Sequence, residues 1–182
     1  MAVVCTTVVI RLSTQQLSSL KNSCFLYIKR KKVRRARDMG AFNHVVLKKP
    51  HSNITYLIYG NGKCVVLSAR SPHEIMRATR WICRKTGSHL LSLPVVHNIV
   101  YVKKVTLPTM PDILTRLYEV ITKTHTASLE LELSPALIVE SQTCSKTKIM
   151  IFRTGKINIT GISDFEALPN VLSEVDTLLK FT

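Results

Sequence analysis

The side chains that most often carry out catalysis or hold metals are scattered along this 182-residue chain. None of the six histidines has a cysteine or carboxylate at metal-ligand spacing; they are His44, His51, His73, His89, His97 and His125. The five cysteines (Cys5, Cys24, Cys64, Cys83 and Cys144) are odd in number and show no metal spacing, which predicts buried, reduced thiols. We therefore expect no catalytic residue, no metal and no cofactor.

The segment GNGK at residues 60–63 has the residue types of a phosphate-binding loop. Such a loop joins a strand to a helix, whereas GNGK separates two strand patterns. We interpret it as a hairpin turn. With only two acids in the first half, paired carboxylate chemistry is also disfavoured, so we expect neither an enzyme nor a small-molecule substrate.

Positive charge is concentrated in the first half of the chain. Residues 1–91 contain 17 Lys and Arg against Asp38 and Glu74, a net charge of 17 − 2 = +15. Residues 92–182 contain nine residues of each sign, 9 − 9 = 0. Such a block attracts a polyanion, and nucleic acid is the expected one. A merely soluble basic surface is the weaker interpretation, because it would not leave so few acids.

The apolar segments are too short to span a membrane. The N-terminal sequence MAVVCTTVVI lacks the basic leader of a signal peptide, so we interpret it as a strand. We expect no membrane partner.

Two hairpin patterns recur along the chain. YLIYGNGKCVVLSA (56–69) and MIFRTGKINITGI (150–162) each predict a strand, a turn containing Gly-Lys, and a second strand. Gly62 and Gly155 are 155 − 62 = 93 residues apart. Upstream segments correspond as well: strands at 3–10 and 95–102, helical stretches at 14–21 and 110–122, and strands at 41–47 and 133–139. The sequence therefore predicts two repeats, 1–91 and 92–182.

A helix is predicted after each hairpin. Ser71 is an N-cap with Glu74 at the capping-box position, and Gly87 ends the helix. Residues 163–166 (SDFE) form a second capping box after the second hairpin. Pro169 lies inside that second helix, where it is expected to kink or delay it.

This element order predicts an α+β fold, with helices on one face of an antiparallel sheet and the other face free. Residues two apart on a strand point to the same face. The alternating residues are Tyr59, Val65 and Leu67 in the first half, and Phe152, Asn158 and Thr160 in the second. A largely apolar free face is typical of a binding surface, although any one of these residues could belong to a plain core strand.

Four segments resemble the TATA-binding protein (TBP) family. They are LIYGNGKCVVLSARS (57–71), HNIV (97–100), LELELSPALI (129–138) and IFRTGKINITG (151–161), in the family's order and spacing. The resemblance, which covers nearly the whole chain, implies a saddle: two pseudo-symmetric repeats in one curved sheet, with helices on the convex face. It implies a basal transcription initiation factor, in the nucleus or a viral transcription compartment, whose concave face binds the DNA minor groove. TBP is itself a well-known example of that binding mode.

The resemblance assigns DNA contacts residue by residue. The aromatic wedge positions fall on Phe42, Tyr59, Ser134 and Phe152, and the central asparagine positions on Ala2 and Asn98. The groove-floor positions fall on Val65, Leu67, Val100, Asn158 and Thr160, while Lys48, Lys63 and Lys156 would approach phosphates.

Four of these residues depart from the family pattern. Ser134 cannot wedge between bases, Ala2 cannot hydrogen-bond a base edge, Leu67 replaces a threonine, and Asn158 replaces a valine. We therefore expect a weakened TATA preference. These departures make the chain more similar to the TBP-like factors (TBP-related factor two), or to a divergent viral homologue, than to an orthodox TBP.

Two segments resemble partner surfaces of the family. Glu130, Glu132 and Leu133 match the stirrup that contacts TFIIB, with a solvated acidic strand edge as the alternative. The basic segment (Lys29, Arg30, Lys31, Lys32, Arg34, Arg35 and Arg37) lies where the first stirrup and the TFIIA-facing edge are expected. We interpret it as a nuclear-localisation signal, a DNA clamp or an acidic-partner site, with a solvated loop as the alternative. The implied partners are promoter DNA, TFIIA- and TFIIB-like factors and the RNA polymerase machinery.

Two other functions stay open. A TBP-like module also occurs as the substrate-binding half of some nucleic-acid enzymes, although two repeats filling the chain argue against that function. The chain could instead be a protein-interaction scaffold of a transcription complex that has largely lost DNA binding, since Ser134, Ala2 and Asn158 each remove a DNA contact.

Overall fold

The computed structural model describes residues 2–13 and 44–180. The strands are β1 (Ala2–Arg11), β2 (His44–Lys48), β3 (Thr55–Tyr59), β4 (Lys63–Leu67), β5 (Val95–Lys104), β6 (Ala127–Ser128), β7 (Ala136–Glu140), β8 (Lys148–Phe152) and β9 (Lys156–Ile162). The helices are α1 (Pro72–Thr86), α2 (Ile113–Ile121) and α3 (Leu168–Leu179). None of these helices is long and apolar enough to cross a membrane.

The chain folds as two compact units. The first unit is Cys5–Val96, and the second comprises His97–Thr182 with Met1–Val4. The unit boundary thus falls after Val96, whereas the division into repeats at 91/92 stays a prediction. The predicted helix at 14–21, Phe42 and the basic segment lie outside the described residues.

In the described residues of the first unit, an antiparallel sheet packs against helix α1. Its strand order is β2-β3-β4-β1. Strand residues alternate between a buried and a half-exposed face, because successive side chains point to opposite sides. Helix α1 packs on the buried face through Tyr56, whose hydroxyl donates to the Ala78 carbonyl at 3.1 Å and whose ring stacks on Trp81 at 5.2 Å.

The ends of α1 are those that the sequence predicts. The Ser71 hydroxyl accepts from the Glu74 N–H at 3.1 Å, and Pro72 occupies the first turn, where its missing N–H needs no partner. Gly87 ends the helix in the left-handed conformation at φ 66°. Ile75, Ala78 and Ile82 are buried at the spacing of one helix face, as predicted.

The second unit has the strand order β5-β9-β8-β7-β6, again antiparallel. Helices α2 and α3 each bury one apolar face; the buried residues include Leu114, Leu117, Val171 and Val175. Lys103 of β5 is 7% exposed and forms an ion pair with Asp176 of α3, which satisfies its buried ammonium group.

The start of α3 differs from the prediction. The helix begins at Leu168, and its N-cap residue, Ala167, makes no side-chain cap, so the capping box at 163–166 is wrong. Asp164 accepts the Glu166 N–H within the preceding turn instead. Pro169 explains the delay, because a proline is accommodated only in the first turn, where no intrahelical N–H bond is required.

Candidate nucleic-acid interface

The face of the first unit's sheet opposite α1 carries an apolar row. Val46, Leu57, Val65 and Val9 are cross-strand partners in register across β2, β3, β4 and β1. All four are half-exposed. We call these residues the first row. Four aliphatic side chains in line form an apolar strip that the unit itself leaves accessible.

A second row lies on the corresponding face of the second unit. Ile138, Met150, Asn158 and Val102 are partners in register across β7, β8, β9 and β5, and all are half-exposed. Asn158 stands where the first row has Val65, since 158 − 65 = 93, and their strand partners Met150 and Leu57 show the same offset. The two rows therefore differ most in one amide.

Cations occupy the ends of the strands that carry the rows. Lys63 is paired with Arg11, and Lys156 with Lys104, at the hairpin-turn end of each unit. Lys48 and Lys148 lie at the opposite end. All six side chains are exposed and lie on the same side of their strands as the row residues. No carboxylate in the described ranges lies within salt-bridge distance of any of them. The pairs Lys63–Arg11 and Lys156–Lys104 place like charges side by side across strands, which favours a polyanionic ligand at the hairpin-turn end, whereas Lys148 stands opposite Glu140.

Two aromatic side chains flank the rows. Tyr59 and Phe152 are the last residues of β3 and β8, and both are half-exposed. The Lys63 ammonium nitrogen lies 6.0 Å from the Tyr59 ring centroid. Ser134 is half-exposed and donates its backbone N–H to the Glu130 carbonyl at 2.8 Å. Ser134 thus places a hydroxymethyl group at the predicted wedge position, two residues before Ala136, the cross-strand partner of Phe152.

The Asn98 amide is held in place by its own unit. Its Oδ1 accepts the Gly161 N–H at 2.7 Å, which leaves the amide NH₂ as the group that can donate to a ligand. The register of β5 and β9 shifts between Ile99 and Tyr101, so Val100 lies in an irregularity of the ladder. Thr160 and Leu67, two further predicted floor residues, are half-exposed, and Thr160 is paired with Lys148.

The position that corresponds to Asn98 in the first unit is Cys5, and the assignment to Ala2 is corrected here. Arg11 pairs with Lys63 just as Lys104 pairs with Lys156, so Arg11 and Lys104 are corresponding residues, 104 − 11 = 93 positions apart. The residue 93 positions before Asn98 is Cys5. Ser68 corresponds to Gly161, since 161 − 68 = 93, and both have a positive φ, 69° and 91°. The Cys5 sulfur lies 3.8 Å from the Ser68 hydroxyl. The sequence missed this because the first strand has no Asn to fix the alignment.

The acidic segment after β6 is a turn. The Glu130 carbonyl accepts the N–H groups of Leu133 and Ser134 at 2.9 and 2.8 Å. Glu130 and Glu132 are exposed, while Leu131 is 58% and Leu133 82% exposed. The segment is therefore a turn and not a strand edge, and its two solvent-exposed carboxylates lie beside two exposed leucines.

Sequence reasoning also missed several row residues and cations: Val9, Val46, Leu57, Val102, Ile138, Met150, Arg11, Lys104 and Lys148. The 93-residue offset between Arg11 and Lys104 was the signal that could have found them.

In the described part of the chain, no group of three His, Cys, Asp or Glu side chains could hold a metal ion. Cys64 is fully buried, and burial with the nearby Cys83 thiol raises its pKa to about 12, so it is a core thiol.

Comparison with known proteins identifies this architecture. The family model for transcription factor TFIID (or TATA-binding protein, TBP) matches residues 27–86, about a third of the chain. Among the solved structures, Methanococcus jannaschii TBP matches with a TM-score of 0.69 and 18% identity, over 100% of this chain and 98% of that chain. At that identity the likeness shows the fold. No curated protein sequence matches significantly.

The chain is therefore similar to the TATA-binding-protein family in sequence over residues 27–86, and to an archaeal TBP in fold over its whole length. The fold is TBP-like, and the stretch that matches the family model is similar to a family of transcription factors. The matched range 27–86 contains β2, β3, β4 and α1 of the first unit. The saddle shape, the pseudo-symmetry and the TBP-like branch stay predictions.

Proposed function

We propose that the chain is a basal transcription initiation factor that binds promoter DNA in the minor groove through its two rows. The observation that supports this proposal is the arrangement of apolar residues in register with unpaired cations at both strand ends. A groove has two phosphate borders and a floor of base edges. Cations at both ends match the borders, and the apolar rows match a floor that offers few distinguishing groups.

The aromatic residues support a bent duplex. Half-exposed Tyr59 and Phe152 flank the rows and can part base steps, as apolar wedges do in minor-groove proteins. Phe42 would be the partner of Tyr59, whereas Ser134 gives Phe152 no aromatic partner. The bend is therefore weaker at the end contacted by Ser134, and TATA preference is reduced. These departures favour the TBP-like-factor branch, or a divergent viral homologue, acting in the nucleus or a viral transcription compartment.

Partner recruitment is the second half of the proposal. The acidic turn, with Leu131 and Leu133 exposed beside Glu130 and Glu132, fits a TFIIB-like factor that has a basic, partly apolar surface. The basic segment at 29–37 would serve TFIIA-like contacts, nuclear import or the DNA backbone. These contacts would bring the RNA polymerase machinery to the promoter.

A groove-selective binding assay tests the DNA proposal. A TATA-containing duplex is compared with one in which every A·T pair is replaced by inosine·C, which preserves the minor-groove pattern and changes the major groove. We expect similar affinity for both, measured by fluorescence anisotropy at low salt. Strong loss with inosine would place the contact in the major groove and overturn the proposal.

Variants locate the contact on the rows. Leu57→Glu places a charge in the first row and is expected to weaken binding at least tenfold, whereas Thr115→Glu on the exposed side of α2 is the matched control. Equal affinity of both variants would show that the rows are not the site. Ser134→Phe is expected to increase bending of a doubly labelled TATA duplex, measured by energy transfer.

Charge reversal tests the acidic turn. Glu130→Arg with Glu132→Arg is expected to abolish co-purification of a TFIIB-like factor, while Glu119→Arg on exposed α2 leaves it unchanged. The scaffold function is the alternative, favoured by Ser134 and Asn158. Intact factor binding without any DNA binding at low salt would establish it.

A further inference from the structure

Asn158 is the polar member of the second row. Its cross-strand partners, Val102 and Met150, are apolar. Its Oδ1 is buried and has no hydrogen-bond partner among the described residues. A buried acceptor without a donor is unfavourable in the free protein, whereas a ligand that brings a donor removes the penalty. The Asn158 oxygen can therefore gain a hydrogen bond from a ligand donor if the amide rotates and turns Oδ1 outward.

The minor groove contains one such donor. A·T and T·A pairs show only acceptors there, whereas a G·C pair adds the guanine N2 amino group. An aliphatic floor leaves that amino group desolvated and unpaired, which disfavours G·C. The amide can donate to an A·T acceptor through its NH₂, or accept from the guanine amino group through its oxygen once rotation about the last side-chain bond turns Oδ1 outward. That rotation breaks no hydrogen bond that the described residues make to Oδ1.

We propose that Asn158 makes the second unit tolerant of a guanine amino group in the minor groove, while the first row remains selective for A·T pairs. This inference rests on the proposed minor-groove function. The two rows differ at this position because the residue that corresponds to Asn158 in the first row is Val65, which pairs with Val9 and Leu57. Base pairs that face Asn158 can therefore be A·T or G·C, whereas base pairs that face the first row must be A·T.

The test adds the amino group without changing the base pair. In an A·T-rich duplex, a single 2,6-diaminopurine·T pair is moved through every position, and the Kd is measured by anisotropy. For the native chain we expect about a tenfold loss at positions that face the first row, and less than about twofold loss at positions that face Asn158. Inosine·C and G·C at the same positions give the matched comparison.

Reciprocal variants assign the effect to the amide. Asn158→Val is expected to create a roughly tenfold penalty at the tolerant positions, and Val65→Asn to remove the penalty at positions facing the first row. Asn158→Leu, which is closer in size, repeats the test if the valine variant folds poorly. A diaminopurine profile that is the same in the native chain and these variants overturns the inference while the DNA function stands. Failure to bind the unmodified duplex overturns the proposed function itself.

Discussion

The Gly161 N–H donates to Oδ1 of Asn98 at 2.7 Å, and this bond joins β9 to the amide that we propose contacts the minor groove. Gly161 has φ 91°, and a Cβ there would stand 2.2 Å from the Lys146 carbonyl oxygen. Glycine is thus required by both backbone conformation and space. The bond fixes the Asn98 amide with its NH₂ free, which suits an acceptor-rich groove floor.

Gly161→Ala is expected to destabilise the fold by about 3 kcal/mol or more, because strain at a positive φ adds to a backbone clash. Urea denaturation measures the change in the free energy of unfolding. Gly60→Ala is the control, since a Cβ there meets nothing within 4 Å, and its cost should stay within about 0.5 kcal/mol. Equal stability of the two variants would contradict the steric account.

The strand-end cations should set the salt dependence of DNA binding. Lys63→Ala and Lys156→Ala are each expected to reduce the slope of log K against log salt by about 0.9, because each removes one phosphate contact. Lys123→Ala, in the exposed turn after α2, should leave the slope unchanged. A titration of affinity between two salt concentrations decides the matter. An unchanged slope in both test variants would exclude these lysines as phosphate contacts.

Glu174 should make the second unit sensitive to acid. Burial alone would raise its pKa, but hydrogen bonds from the Ser141 and Thr143 hydroxyls and the Gln142 N–H hold the pKa below its usual value of 4.5. A carboxylate with a lowered folded pKa stabilises the fold fully above its unfolded pKa, and the stabilisation is lost as pH falls through the folded value.

Glu174→Gln is therefore expected to lower the free energy of unfolding by about 2 kcal/mol at pH 7, with the difference from the native chain shrinking below about pH 4. Thermal unfolding across pH measures it. Glu119→Gln, on an exposed position of α2, should show neither effect. A difference that stays constant from pH 7 down to the acid unfolding of the native chain would show that the charge of Glu174 is not its cause.

Cys64 should resist alkylation in the folded protein. It is 0% exposed, and burial raises its pKa to about 12, so very little reactive thiolate forms at pH 8. Half-exposed Cys5 and Cys144 are expected to react before Cys64, which reacts only after unfolding. Timed iodoacetamide labelling with mass spectrometry follows all three. Labelling of Cys64 at the rate of Cys5 in native buffer would refute its placement in the core.

Local patterns alone determined much of this fold. Ser71, Glu74 and Gly87 predicted both ends of α1, because capping depends on neighbours within one turn. The alternation of Tyr59, Val65 and Leu67 placed them on one half-exposed face, because strand side chains alternate whatever lies around them. The capping box at 163–166 failed because Pro169, three residues later, limited where the helix could begin.

Tertiary structure decided the rest, since it alone sets which residues of distant strands are neighbours. The sequence contains Val9, Val65, Leu57 and Val46 without showing that they form one row, because register depends on pairing between residues 8 to 56 positions apart in the chain. It contains Asn158 without showing that Oδ1 is buried and unpaired. Only the folded sheet reveals that Cys5 corresponds to Asn98. It also reveals that Arg11 and Lys63 lie at the end of the first row, and Lys104 and Lys156 at the end of the second.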